Sequence, residues 1–79
     1  MASIEERILK DIGIFNANVR EIEREKIGKK QKAIVELAEM YAKDSKSFFD
    51  KKDYYTSFSA IAYAHGLLDS IRKLNSKSD

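Results

Sequence analysis

The sequence predicts an all-α fold, an antiparallel three-helix bundle, and three observations carry that reading. Composition favours helix: Lys, Glu, Ile and Ala alternate along the chain, proline is absent and only three glycines occur. Apolar residues recur at steps of three and four along three separate stretches, the spacing that places side chains on one face of a helix. Short polar connections near Gly28 and at Lys51–Asp53 separate those stretches, and short connections make neighbouring helices antiparallel. The expected helices are about 3–25, 30–50 and 53–74, with a polar tail from about residue 75.

The first helix opens at Ser3, with Glu6 three residues later as a capping box. Glu5 and Glu6 also suit the positive end of the helix dipole. Its seam is Ile4, Ile8, Ile12, Phe15, Val19 and Ile22, while Leu9 and Ile14 lie off it. Gly28, in the run Lys26–Lys32, marks the break; one long helix running through Gly28 is the competing reading. The second helix carries the stripe Ile34, Leu37, Ala38, Tyr41, Ser45 and Phe48, and Asp53 is a good N-cap for the third.

The third helix is the most apolar and aromatic part of the chain. Tyr54, Phe58, Ile61, Ala64, Leu68 and Ile71 fall on one arc, and Ser59, Ala62, Gly66 and Ser70 form a second strip of small residues. Glycine inside a helix costs roughly 1 kcal/mol relative to alanine. The expectation is that Gly66 lets a neighbouring helix pack closely. Tyr63, Leu67, Ile71 and Leu74 extend the apolar arc beyond what two partner helices cover, which makes them a candidate interface for a dimer.

The chain of 79 residues reads as a single domain, 1–79, with a small core. Without cysteine there is no disulfide and no thiolate metal site, and one histidine argues against structural zinc. No metal and no cofactor is expected. A net charge of +2 does not by itself imply nucleic acid. No apolar run reaches the eighteen or so residues of a membrane span, and the N-terminus lacks a signal-peptide core, so the expected setting is cytoplasmic.

The run Asp53-Tyr54-x-x-Ser57, followed by Ile61-x-Tyr63-Ala64-His65-Gly66-Leu67-Leu68-Asp69-Ser70, resembles the C-terminal motif of a family of short archaeal proteins, domain of unknown function 357. Ser57 and Ser70 stand where alanine is more usual. The resemblance implies a small helical bundle in an archaeal cytoplasm, and it supplies no catalytic residues and no mechanism. Lys52-Asp53-Tyr54-Tyr55 also resembles the inter-helix turn of tetratricopeptide repeats, but the repeat period is absent.

Three constellations carry chemistry in principle. His65 and Asp69 lie one helical turn apart, so a carboxylate-held imidazole is a candidate ligand anchor or general base, with Tyr54 close in helical angle. The plainer reading is a histidine at the edge of the core; no nucleophile, phosphate loop or second histidine accompanies it. Asp44, Asp50 and Asp53 do not match a calcium loop. Lys26, Lys29, Lys30 and Lys32 form a basic cluster, a candidate weak contact for nucleic acid, though arginine–aromatic interleaving is missing. The function this sequence favours is a non-enzymatic interaction or assembly module that self-associates. The alternatives are a small ligand-binding protein or enzyme using His65 and Asp69, and a weak nucleic-acid binder through Lys26–Lys32.

Overall fold

A computed structural model describes residues 3–76, with side chains described through Arg72. It contains α1 (Ile4–Glu23), α2 (Lys29–Asp50) and α3 (Tyr54–Ser76). The chain breaks where Gly28 predicted, and α3 runs past the expected end at Leu74.

Each helix boundary has a local cause. Ser3 and Glu6 form the capping box: the Glu6 amide donates to the Ser3 hydroxyl at 3.1 Å, and the Ser3 amide donates back to the Glu6 carboxylate at 3.4 Å. Gly28 is the N-cap of α2, with ordinary extended dihedrals (φ −75°, ψ 171°), and its amide donates to Gln31 Oε1 at 2.9 Å. Gly28 thus starts a helix and does not end one.

The α2–α3 turn is closed by a Schellman motif. The Asp53 amide donates to the Phe48 carbonyl and the Lys52 amide to the Phe49 carbonyl, each at 2.9 Å. Lys52 takes the left-handed conformation that this motif requires, φ 66°. Asp53 then caps α3 directly, accepting from the Thr56 amide at 3.2 Å. One residue closes one helix and opens the next, so the hairpin direction is tightly set.

The core unites Phe15, Val19 and Ile22 of α1, Val35, Ala38 and Ala42 of α2, and Ile61, Ala64, Leu68 and Ile71 of α3. α2 and α3 make the most intimate pair, α1 lies mainly against α3, and α1 touches α2 least. Small residues accompany the intimacy: Ala38, Ala42 and Ser45 on α2 and Ser57 and Ala64 on α3 are all buried. Among them Ser45 and Ser57 exchange hydrogen bonds with each other's backbone.

The expected buried face of α2 is rotated in the structure. Val35 is in the core at 3% exposure, whereas Leu37 faces outward at 38%. The apolar arc of α2 is wide enough to allow either centre. Close approach of α3 selects the line of small residues, and that line brings Val35 inward. In α1, Ile8, Phe15, Val19 and Ile22 are buried, but Ile4 at the start of the seam is exposed, as are Leu9 and Ile14. Phe15 is fully covered, while Tyr41 and Phe58 are half-buried.

Candidate protein-docking surface

His65 sits half-buried on the α1 side of α3. Its Nε2 lies 2.8 Å from the Asp11 carbonyl oxygen. A carbonyl can only accept, so Nε2 carries the proton and donates. The imidazole also meets the Phe15 ring edge-on, with centroids 5.8 Å apart at 88°. The partner is therefore a backbone oxygen of α1 and not the expected Asp69 carboxylate, which is exposed on the outer side of α3. Tyr54 packs against Phe49, with centroids 5.4 Å apart, and does not join His65. The arrangement orients an imidazole as a clip between α1 and α3.

Gly66 does not receive a neighbouring helix within the chain. It is exposed, and a Cβ built on it meets nothing within 4 Å. The reason is angular: the buried side of α3 is centred on Ser57, Ile61, Ala64 and Leu68, and Gly66 lies on nearly the opposite side. Close packing does occur in this bundle, at Ser57 and Ala64.

The four expected interface residues do not form one patch. Ile71 is fully buried in the core and Leu67 is half-buried against it. Tyr63 is exposed at 54%, and the Leu74 side chain lies outside the described residues. The uncovered surface is displaced toward Tyr55, which is 85% exposed, and carries Ser59, Ala62, Tyr63, Gly66 and Ser70. Tyr63 continues this surface onto α2 through Tyr41, whose ring meets it at 4.6 Å between centroids. Beside them runs a shallow cleft floored by Phe48, Thr56 and Ala60, with Asp44 at its margin.

This surface is electrically unusual for the chain. Lys and Arg number 15 and Asp and Glu number 13, yet none occurs from Tyr54 to Leu68, the longest stretch without them. About four helical turns thus present no charge on any side. The buried side of α3 needs none, but the solvent-facing side ordinarily carries Lys and Glu.

A different electrostatic situation holds at the opposite edge. Glu23, Glu25, Glu36 and Glu39 converge with Lys32 around Ile27 and Val35, in a groove between α1 and α2. Partial burial raises the Glu39 carboxyl above its usual range, and the neighbouring Glu23 and Glu36 add to the rise. Lys32, counted in the basic cluster, faces these carboxylates, while Lys26, Lys29 and Lys30 are exposed around the start of α2. Among the described residues, no group of three or more His, Asp or Glu is placed to hold a metal ion. No described helix is long and apolar enough to cross a membrane.

The model of the family described as Protein of unknown function (DUF357) matches residues 10–76, which takes in nearly all of the helical bundle. The chain belongs to this DUF357 family. No curated protein matches it. The DUF357 match includes both the Ser45–Ser57 contact and the uncharged face of α3, so these features lie within the family region of the chain.

Sequence reasoning placed the candidate interface at Tyr63, Leu67, Ile71 and Leu74, whereas the exposed, uncharged side of α3 runs through Tyr55, Ser59, Ala62 and Gly66. The signal was present: an absence of charge all round α3 marks the outer side as well as the inner one. Apolar content alone pointed to Leu67 and Ile71, because side chains destined for the core and for an interface look alike in a sequence.

Proposed function

We infer that this chain is a non-enzymatic docking module of the cytoplasm, and that the outer face of α3 with the adjoining α2 edge is its working surface. One observation supports this reading above the rest. A solvent-facing helix surface of about four turns bears no charge and displays two well-exposed tyrosines, in a chain where Lys, Arg, Asp and Glu occupy nearly half of the positions elsewhere. Tyrosine is favoured at protein interfaces because one end is apolar and the other forms hydrogen bonds. His65 is engaged in joining α1 to α3, which favours a structural role for it over a catalytic one.

Site-directed photo-crosslinking in cells that naturally make the protein tests the reading. A photoreactive amino acid replaces Tyr55 or Tyr63 in turn, with Lys10 on the outer side of α1 as the control. A discrete crosslinked protein from the α3 positions and none from Lys10 supports docking through α3. Equal, diffuse labelling from all three positions contradicts it.

A further inference from the structure

We propose that the occupant of the α3 face is the same face of a second copy, in an antiparallel, two-fold symmetric helix pair. The inference rests on the docking reading above and names the partner.

Electrostatics favours a like partner. A surface that selects a different protein commonly does so with complementary charges, which steer encounter and penalise wrong pairings. From Tyr54 to Leu68 there is no Asp, Glu, Lys or Arg to do either. An uncharged face is best matched by one that also requires no charge to be desolvated, and the second copy presents such a face. The net charge of +2 is too small to keep two copies apart.

The spacing of the exposed residues supplies the geometry. Tyr55, Ser59, Ala62 and Gly66 step along the outer face by four, three and four, and this series reads the same in both directions. Two antiparallel copies related by an axis between Ser59 and Ala62 therefore place each Ser59 opposite an Ala62. The same operation places each Tyr55 opposite a Gly66. The small residues at the centre permit close approach. The large, 85%-exposed Tyr55 meets the position with no side chain, over which nothing lies within 4 Å. An isologous contact needs this kind of self-match, with residue i meeting j and j meeting i. A parallel pair would set Tyr55 against Tyr55 and leave the space over Gly66 empty. A helix pair of this length falls at the small end of specific interfaces, so dissociation belongs in the micromolar range.

Sedimentation equilibrium of the purified full chain, with disulfide trapping, tests the pairing. The wild type is expected to reach a dimer as concentration rises through the micromolar range. Ala62→Glu and Gly66→Leu, both at exposed positions, are each expected to weaken it at least tenfold with helix content unchanged. Because the chain contains no cysteine, the register is tested by mixing Tyr55→Cys with Gly66→Cys. The mixed disulfide should form faster than either self-pair. A wild type that stays monomeric at millimolar concentration, a dimer indifferent to Ala62→Glu, or preferred Tyr55→Cys self-pairing overturns the proposal. If Tyr63 crosslinks a different protein in cells while the purified chain stays monomeric, docking stands and self-pairing falls.

Discussion

Ser45 and Ser57 each donate a hydroxyl hydrogen bond to the other's backbone carbonyl, at 2.8 and 2.7 Å, across the α2–α3 interface. Their hydroxyl oxygens lie 3.1 Å apart, and both residues are fully buried. A serine inside a helix ordinarily bonds the carbonyl one turn back on its own helix. Here the two helices approach closely enough for each serine to reach across, and no buried side-chain polar atom among the described residues lacks a partner. The pair fixes the register of the hairpin that presents the uncharged α3 face.

Ser57→Ala should lower stability by about 0.5–1.5 kcal/mol, the net worth of one buried hydrogen bond. Ser57→Leu should cost about 1–3 kcal/mol, because α2 leaves no room for the added atoms. The double variant Ser45→Ala/Ser57→Ala should cost less than the sum of the single changes, since the contact between the two hydroxyls, 3.1 Å apart, is lost in either single variant and so is counted twice in the sum. Urea denaturation of the four proteins measures this; strict additivity would show that the two hydroxyls act independently.

Lys52 holds a left-handed backbone at φ 66° to close the Schellman motif. Glycine adopts this conformation without the steric penalty, although it loses more freedom on folding. Lys52→Gly should therefore raise stability by about 0.5–1 kcal/mol, read as a higher melting temperature. A lower one would contradict the assigned turn.

His65 joins α3 to α1 through the Asp11 carbonyl and the Phe15 ring. His65→Ala should cost about 1–2 kcal/mol from the lost hydrogen bond and ring contact. His65→Gln keeps an N–H donor and should cost less. Equal losses from both variants would assign the stabilisation to packing alone.

Glu39 gives a pH-dependent outcome. Unfolded, its carboxyl ionises near its ordinary value of 4.5; folded, partial burial, with Glu23 and Glu36 nearby, makes it hold its proton to higher pH. Folding favours the protonated form, so its contribution is fully present below the unfolded value and is lost as pH rises through the folded one. Glu39→Gln should raise the melting temperature at pH 7, and the gain should shrink as pH falls toward 4.5. A gain that grows on acidification would reverse the sign of this account.

The helix count, the break before Gly28, the Ser3–Glu6 box and the Asp53 cap were all legible, because each is a local signal carried by residues close in sequence. The apolar seams of α1 and α3 were legible for the same reason. The centre of the α2 face was not. Ile34, Val35, Leu37 and Ala38 leave its rotation open until α3 is in place, and close approach along Ala38, Ala42 and Ser45 then selects it. Nor was the exposure of Gly66, since a small residue in a helix does not say whether a neighbour packs against it. The His65 partner was hidden because the Asp11 carbonyl is backbone and bears no side-chain signature.

The claim that α3 pairs with a second copy is tested most directly by amide chemical shifts across a dilution series of the wild-type chain. The account predicts concentration-dependent movement concentrated at Tyr55, Ser59, Ala62, Tyr63 and Gly66, with Lys10 and Ala17 on the outer side of α1 unmoved. Shifts that stay constant to millimolar concentration, or that move instead along the Glu23–Glu36–Glu39 groove, would contradict it.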